Sequence, residues 1–379
     1  MFKHLIIFAA ALALTGCSSF FDKDNTPAPK PLVQFQAEIK PHQMWSARTG
    51  SGSGDDFLKM SPATGSHAIF TASSKGTVTS TNKVTGARMW QVDTGASLTS
   101  GPGSGDDLVV VGSRHGDIIA LREATGELAW KITIQDEIIA NPAIDNHVVI
   151  VKAVDGHLYA LSAQDGHTLW IQQQVEPSLI LRGSSSPVIR NGDVIAGFAN
   201  GNLLKLNLHG GQLFWMRAIA IPEGAFAIQR MIDIDADPIV YDHRIFAATF
   251  QGKIASLDWN TGQVLWSHDI SSYTGMVADE NKVFVTDAKS HVWSFDANSG
   301  LVNWRQTELE SRNISAPASM GNYIVVGDAQ GYLHWLDKRD GHFAAREFAG
   351  TSIYAAPIVE NNMVYTLTAN GYLVAYNIG

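Results

Sequence analysis

Short alternations of apolar and polar residues recur along the whole chain. The segment 155–161 (DGHLYAL) begins with a hairpin-turn dipeptide and then alternates, which is typical of a strand with one buried face. Continuous apolar runs such as 109–111 (VVV) and 148–151 (VVIV) precede these turns. Because they are too short for helices and rich in β-branched residues, they predict buried central strands. The pattern therefore predicts an all-β protein.

One spacing repeats seven times along the chain. A turn-like position is followed ten residues later by Gly and four residues after that by a bulky residue, usually Trp. The turn positions are Gly76, Gly116, Gly156, Gly201, Gly252, Ser290 and Gly331. The second glycines are Gly86, Gly126, Gly166, Gly211, Gly262, Gly300 and Gly341. The last positions are Trp90, Trp130, Trp170, Trp215, Trp266, Trp304 and, as an exception, Ala345. A repeat of about forty residues is typical of a solenoid, a propeller or an array.

A second spacing runs upstream of each turn and adds an eighth repeat, whose turn is Gly371. Fourteen residues before the eight turns lie Pro62, Pro102, Pro142, Pro187, Pro238, Met276, Pro317 and Pro357. Each repeat then holds four short antiparallel strands, with the Pro-marked strand innermost and the Trp-marked strand outermost. This is the blade of a β-propeller, and eight turns predict eight blades.

The last repeat is incomplete, because only eight residues follow Gly371. Its missing outer strand is predicted at the other end of the chain, where Trp45 precedes the first complete repeat and has Pro41 four residues before it. We therefore predict an eight-bladed β-propeller of four-stranded antiparallel blades, with the N-terminal strand completing the last blade. Such closure removes unpaired strand edges. The tryptophans are interpreted as wedges between neighbouring blades.

The N-terminus has the features of a secreted, lipid-modified precursor. A basic start at Lys3, an apolar core over 5–14 and a small-residue exit predict a signal peptide over 1–16. The sequence 14–17 (LTGC) resembles the bacterial lipobox, so Cys17 is the predicted lipidation site. Residues 17–32 are predicted to form a flexible tether and 33–379 a single propeller domain. Ser18, in place of Asp, resembles the sorting signal for the periplasmic face of a Gram-negative outer membrane.

Composition narrows the classes of function. The formal net charge is −9, which argues against a nucleic-acid partner. Cys17 is the only cysteine, so the chain has no internal disulfide, and a thiol metal site or nucleophile would compete with the lipid for the same sulfur. The thirteen histidines form no zinc-helix motif, and no nucleophile elbow occurs. No enzyme activity, metal or cofactor is predicted.

Two links between blades are unusually long, with seventeen residues from Trp170 to Pro187 and twenty-three from Trp215 to Pro238. Insertions of this kind often build a binding face. The first link places Leu179 and Leu181 on one side of an extended backbone and continues into Arg182. The second link contains 232–237 (IDIDAD), whose three carboxylates are predicted to share one face of a strand edge that faces water.

The acidic run has two further interpretations. A calcium loop would need glycine at the position of Pro238 and a carboxylate at that of Arg244, so its pattern is not met. Alternatively, Arg182 and the acidic run pair with each other across adjacent loops and have a structural role only.

The chain resembles the outer-membrane assembly lipoproteins of the BamB type, a propeller family with quinoprotein-like repeats. Two segments carry the resemblance beyond the repeats: 177–183 (PSLILRG), similar to the family's P-S-L-x-L-R-G loop, and 233–238 (DIDADP), similar to its D-V-D-x-x-P segment. The resemblance implies a non-enzymatic scaffold that binds periplasmic domains of the barrel-inserting (BamA-type) subunit of the assembly complex and assists the folding and insertion of outer-membrane proteins. It also implies partner-binding roles for Leu179, Leu181, Arg182, Asp233 and Asp235, with Arg230 as a neighbour. Unfolded outer-membrane proteins are a further candidate partner.

Two other functions compete with this one. A quinone-dependent dehydrogenase-like periplasmic propeller has similar repeats, but such enzymes resemble a pattern with paired adjacent cysteines and calcium-binding acids that this chain lacks. A lipoprotein that binds envelope polysaccharide would require exposed tryptophans for stacking on sugar rings.

Overall fold

The computed structural model describes residues 27–54, 58–181 and 183–378, and these residues form eight four-stranded antiparallel sheets. The predicted signal peptide and Cys17 lie outside the described residues. Each of the first seven sheets uses four consecutive strands, as the repeats predict. The eight-bladed propeller is thereby confirmed. In the described part of the chain, no helix has the length and apolar character needed to cross a membrane.

The first four blades follow one another along the chain. Blade 1 contains β2 (Ala63–Thr64), β3 (Ala68–Ala72), β4 (Thr77–Asn82) and β5 (Arg88–Asp93). Blade 2 contains β6 (Gly103–Gly105), β7 (Leu108–Gly112), β8 (Asp117–Arg122) and β9 (Leu128–Thr133). Blade 3 contains β10 (Ala143–Asp145), β11 (Val148–Lys152), β12 (His157–Ser162) and β13 (Thr168–Gln173). Blade 4 contains β14 (Val188–Arg190), β15 (Asp193–Gly197), β16 (Asn202–Asn207) and β17 (Leu213–Ala218).

The remaining blades continue this order, after a single turn of 3₁₀ helix, η1 (Ala227–Arg230). Blade 5 contains β18 (Ile239–Tyr241), β19 (Arg244–Ala248), β20 (Lys253–Asp258) and β21 (Val264–Asp269). Blade 6 contains β22 (Gly275–Asp279), β23 (Lys282–Thr286), β24 (Val292–Asp296) and β25 (Val302–Gln306). Blade 7 contains β26 (Ala318–Met320), β27 (Tyr323–Gly327), β28 (Tyr332–Asp337) and β29 (Phe343–Phe348). Blade 8 contains β30 (Ile358–Glu360), β31 (Met363–Leu367), β32 (Tyr372–Ile378) and β1 (Pro41–Arg48).

The two ends of the chain close the ring as predicted. β1 pairs antiparallel with β32, from Pro41 opposite Ile378 to Arg48 opposite Tyr372. Trp45 lies opposite Ala375 beside a bulge, so it occupies the outer-strand position that the repeat assigns to tryptophan. This pairing gives blade 8 its fourth strand and covers the outer edge of β32.

The position of each strand in its blade follows from its side chains. The apolar runs form the second strand of each blade; β7 and β11 are buried along their entire length. The short Pro-marked strands lie innermost, where neighbours such as β6 and β10 contact each other around the central channel. The Trp-marked strands lie outermost, with alternating exposed residues.

The repeated Gly and Trp positions meet between neighbouring blades. A Cβ on each second glycine would lie 2.5 to 2.8 Å from an indole of the preceding blade. The seven pairs are Trp45–Gly86, Trp90–Gly126, Trp130–Gly166, Trp170–Gly211, Trp215–Gly262, Trp266–Gly300 and Trp304–Gly341. Each indole Nε1 also donates a hydrogen bond of 2.8 to 3.3 Å to the carbonyl three residues before that glycine. All ten tryptophans are buried or half-buried.

The junction between blades 7 and 8 lacks this pair, because Ala345 stands at the tryptophan position. A segment ahead of β1, the N-terminal arm (residues 30–39), fills the space. The amide of Glu38 donates to the carbonyl of Ala344 at 2.8 Å, and Ile39 packs into the cluster that contains Ala345 and Trp335. The missing indole is thus replaced by residues from the other end of the chain.

The N-terminal arm is also held by polar contacts from blade 7 and the connection into it. The Lys30 amide donates to the Glu310 carbonyl at 3.0 Å, and Arg312 donates to the carbonyl of Lys30. Arg346 donates to the carbonyl of Val33 at 3.0 Å. The predicted tether, 17–32, falls mostly outside the described residues, and Lys30 within it is docked on the propeller.

Candidate functional site

The two long links form the connections into blades 4 and 5, and they lie against each other. The first connection (174–187) joins β13 to β14, and the second (219–238) joins β17 to β18. Asp233 Oδ1 accepts a hydrogen bond from the Leu181 amide at 2.9 Å. Asp237 Oδ1 accepts one from the Ser186 amide at 2.6 Å. The acidic residues therefore hold the backbone of the first connection.

Two of the three carboxylates of the acidic run are buried, so the prediction of a strand edge facing water is wrong. Asp233 is 1% and Asp235 4% exposed, and Ile232 and Ile234 on the opposite side are buried as well. The segment forms no strand. It is fixed between blades by the Ile234 amide, which donates to the Phe198 carbonyl, and by the Asp233 carbonyl, which accepts from Phe250. The first connection covers its polar side, which alternation along one segment does not reveal.

Gly183 explains how the first connection lies so close to Asp235. A Cβ at this position would be 2.8 Å from the Asp235 carboxyl carbon, so a larger residue would displace the Asp235 carboxyl group. The glycine of the PSLILRG segment thus makes room for the Asp235 carboxyl group and does not serve a turn, since its φ is not in the left-handed region.

Two lysines that the sequence analysis did not single out complete the cluster. Lys152, at the end of β11, is 5% exposed, and its Nζ donates to the Gly197 carbonyl at 2.6 Å and to Ser185 Oγ at 3.1 Å. Lys59, in the connection into blade 1, donates from Nζ to the Asp235 carbonyl at 3.1 Å and to the Tyr273 carbonyl. Lys59 therefore links the connection into blade 1 with those into blades 5 and 6. A single Lys at the end of an otherwise apolar buried strand was the available signal for Lys152.

Burial controls the protonation of this cluster. It raises the pKa of the Asp235 carboxyl to about 7, against the attraction of Lys59 and Lys152. It lowers the pKa of the Lys152 ammonium to about 8, against the attraction of Asp235 and Glu176. Burial likewise raises the pKa of Asp233. Burial thus disfavours the charged form of each of these three side chains.

The predicted partner-binding residues divide into exposed and buried sets. Leu179 is 42% exposed, and Arg230 is exposed at the end of η1. Leu181 is half-buried and faces a cavity at the mouth of the channel. Asp233 and Asp235 are buried and contact the first connection from below, so they position it. Arg182 lies outside the described residues.

The second connection adds an exposed apolar stretch that the sequence analysis passed over. Ile221, Phe226 and Ile228 are 74%, 68% and 62% exposed. Gln229 Oε1 accepts the amides of Ala225 and Phe226 at 3.1 Å and so fixes the turn that presents Phe226. Together with Leu179, these residues give the two connections an apolar outer surface.

A cavity of about 350 Å³ lies where these connections enter the channel. Residues from the connections into seven of the eight inner strands line it, and the charged ones are Lys59, Asp235 and Asp237. Tyr273, Asn313 and Tyr354 face it from blades 6, 7 and 8, and Ile139 and Ile314 supply apolar walls. This end of the propeller thus carries both long connections and this cavity.

Comparison with known protein families points to one family. The family model described as "Outer membrane protein assembly factor BamB" matches residues 74–306. Proteins of that name in Alkalilimnicola ehrlichii, Legionella pneumophila and Pseudomonas aeruginosa are 41%, 38% and 37% identical to this chain. The alignments cover 99%, 98% and 99% of this chain and 97%, 98% and 99% of the relatives.

Solved structures agree on the fold. The crystal structure of BamB from Moraxella catarrhalis superposes with a TM-score of 0.82 at 27% identity, covering 89% of this chain and all of that one. A quinohemoprotein alcohol dehydrogenase from Comamonas testosteroni reaches a TM-score of 0.72 at 14% identity, covering 89% of this chain and 76% of that one, which shows a shared fold alone. With near full-length relatives above 30% identity and a matching family model, the chain belongs to the BamB family of outer membrane protein assembly factors.

Proposed function

We propose that this protein is a non-enzymatic scaffold of the outer-membrane β-barrel assembly machinery, and that it binds periplasmic domains of the barrel-inserting subunit through the two long connections. The proposal rests chiefly on the hydrogen bonds by which Asp233 and Asp237 of the second connection hold the backbone of the first. These bonds fix the backbone beside the exposed Leu179. A preformed loop loses less conformational entropy on binding than a flexible one.

The chemistry of the surface suits a protein partner. Exposed Leu179 and Phe226 provide apolar area that a partner can cover, and Arg230 provides a polar rim. Interfaces of this kind concentrate their affinity in a few apolar and arginine residues near the centre. The resemblance of segment 177–183 to the family loop gives Arg182 a partner-binding role as well, and Arg182→Ala is expected to cost about 2 kcal/mol or more of binding free energy.

The cellular setting forms part of the proposal. Cys17 carries lipid that anchors the chain in the outer membrane, with the propeller on the periplasmic side. The N-terminal arm is docked on blade 7, so the polypeptide that leads to the anchor leaves the propeller there. Unfolded outer-membrane proteins are a further predicted partner, and they would bind by pairing along exposed strand edges.

The test compares the Leu179→Asp variant with the unaltered protein in their affinity for the purified periplasmic repeats of the barrel-inserting subunit. A charge at a central apolar position is expected to weaken binding at least about tenfold. Leu301→Asp is the matched control, since Leu301 is 69% exposed in blade 6 and should bind normally. Equal affinities of the two variants would show that Leu179 does not belong to a partner-binding surface.

A further inference from the structure

The turn between β28 and β29 brings three potential metal ligands together. Asp337 ends β28, His342 directly precedes β29, and Glu38 reaches the turn from the N-terminal arm. One ligand atom of each side chain, a carboxylate oxygen or an imidazole nitrogen, lies within 4.8 Å of the other two. The group therefore combines an imidazole with carboxylates from distant parts of the chain and is not a local run of acidic residues.

The backbone holds all three residues in place. The Asp337 amide donates to the His342 carbonyl at 2.9 Å, which pairs the two ends of the turn. The Glu38 amide donates to the Ala344 carbonyl at 2.8 Å. Asp337 is 2% exposed, whereas His342 is half-buried and Glu38 is exposed, so an ion can enter from solvent. Ligands on a fixed backbone lose less conformational entropy when they bind an ion.

The imidazole of His342 is oriented as in many metal sites. Its Nδ1 faces Asp340 Oδ1, and its Nε2 lies 2.9 Å from Glu38 Oε1. When Asp340 accepts the hydrogen on Nδ1, Nε2 directs its lone pair towards Glu38. A metal ion would replace the hydrogen between Nε2 and Glu38, and a carboxylate on the other ring nitrogen is the usual partner of a histidine ligand.

The equivalent turn of blade 3 provides an internal comparison. His167 Nδ1 lies 2.6 Å from Asp165 Oδ1, so the same pair with the same spacing recurs there. Ser162 stands at the position of Asp337, and within the part of the chain that the structure describes no group of three ligands forms at this turn. The turn of blade 7 differs because it has Asp337 and receives Glu38 from the arm.

We propose that Glu38, Asp337 and His342 bind one divalent transition-metal ion, Zn²⁺ by the nature of its ligands, which joins the N-terminal arm to blade 7. Bonds of about 2.0 to 2.2 Å to one nitrogen and two oxygens require only small side-chain rotations from the observed separations. Asp340 orients His342, and solvent completes the coordination. The site uses no residue of the two long connections, so the proposal holds whether or not they bind the barrel-inserting subunit.

Calorimetric titration with ZnCl₂ tests the site. The soluble Cys17→Ser form of the whole protein is used, because a free thiol would itself bind zinc. One saturable equivalent of zinc is expected, and CaCl₂ should give none, since calcium prefers six or more oxygen ligands. Absence of a saturable zinc equivalent overturns the proposal, and calcium binding of similar affinity overturns the assignment to Zn²⁺.

Variants separate this site from adventitious zinc on other histidines. His342→Ala and Glu38→Gln should each weaken zinc binding at least about tenfold, since each removes one of three ligands. His167→Ala and Glu127→Gln, at exposed residues of blades 3 and 2, are the matched controls and should leave the affinity unchanged. Glu38→Gln keeps the size of an exposed side chain, so it reports on the site even where His342→Ala unfolds the protein. Unchanged affinity in the folded site variants, or an equal loss in the controls, overturns the proposal.

Arg339 gives a variant with the opposite sign. Its guanidinium occupies the Asp337 carboxylate, with Nε 2.9 Å from Oδ1 and Nη2 2.8 Å from Oδ2. The Arg339 side chain is 76% exposed, and such an ion pair is weak enough for a metal to displace it. Arg339→Gln should therefore tighten zinc binding, because it removes the competing cation. Weaker binding in this variant would contradict Asp337 as a ligand.

Hydrogen exchange tests the link between the arm and blade 7. Zinc should slow exchange of the Glu38 amide in the unaltered site and leave it unchanged in His342→Ala. Exchange at Glu38 that does not respond to saturating zinc in either protein would overturn the proposed link.

Discussion

The carboxylate of Asp233 accepts the backbone amide hydrogen of Leu181 at 2.9 Å, fifty-two positions away along the chain. This bond joins the connections into blades 4 and 5 close to Leu179, which is exposed to solvent. An acidic residue that lies beneath a surface can control binding without touching the partner, because it sets the backbone on which the contacting residues stand.

Asp233→Ala should therefore weaken partner binding about tenfold without unfolding the ring, because a charge-assisted hydrogen bond to a largely buried amide is lost. Hydrogen exchange is the direct measurement, and the Leu181 amide is expected to lose protection. Asp233→Asn is the control, since its amide oxygen can still accept this bond and should preserve most of the affinity. Unchanged exchange at Leu181 in the alanine variant would contradict the positioning role.

The contact between Trp90 and Gly126 predicts a large difference between two glycine substitutions. Gly126→Ala places a methyl group 2.7 Å from the indole, at a φ of +76°, whereas Gly192 has a similar φ of +78° with open space around it. Gly192→Ala should lower the free energy of unfolding only by the backbone strain, about 1 kcal/mol. Gly126→Ala should lower the free energy of unfolding by about 3 kcal/mol or more. Urea unfolding of both variants measures the difference. Equal losses of unfolding free energy would contradict the tight packing of Trp90 against Gly126.

The buried carboxyl of Asp235 makes stability depend on pH. Its pKa is raised from 3.8 to about 7, so between these values the folded protein retains a proton that the unfolded chain releases. The free energy of unfolding contributed by this group therefore falls as pH rises from about 4 to 7, by at most about 1.4 kcal/mol per pH unit. Asp235→Asn should flatten the dependence in urea unfolding at pH 5 and 7.5, whereas Glu127→Gln should not. A slope that the asparagine leaves intact would place the titrating group elsewhere.

Cys17→Ser is expected to remove the membrane anchor. On the proposed function the lipid is attached through the Cys17 sulfur, and each buried methylene of that lipid would contribute about 0.8 kcal/mol to membrane binding. Radiolabelled palmitate should mark the wild-type protein and not the variant, which should move from the membrane fraction to the soluble periplasmic fraction. Continued membrane association of an unlabelled variant would show that another contact anchors the protein.

The repeat made the architecture predictable, because the same two spacings place a glycine and a tryptophan where neighbouring blades meet. The incomplete repeat at Gly371 and the isolated Trp45 likewise predicted the closure seen between β1 and β32. Each of these features depends on residues within one repeat or in its neighbour, which a periodic sequence encodes directly.

The candidate site was less predictable, because it depends on how separate segments cover each other. Alternation in 232–237 suggested carboxylates facing water, but the first connection lies on them and Lys59 reaches them from blade 1. Nothing local to the acidic run signals a lysine that lies far away in the chain. The replacement of the missing indole at Ala345 by Ile39 was hidden for the same reason.

Site-specific photocrosslinking in intact cells tests the proposed partner surface most directly. A photoreactive residue at Leu179 is compared with one at Phe348, which is 60% exposed on blade 7. The proposal predicts that the barrel-inserting subunit is captured from position 179 and not from position 348. Capture from position 348 alone, or no adduct with that subunit from either position, would contradict it.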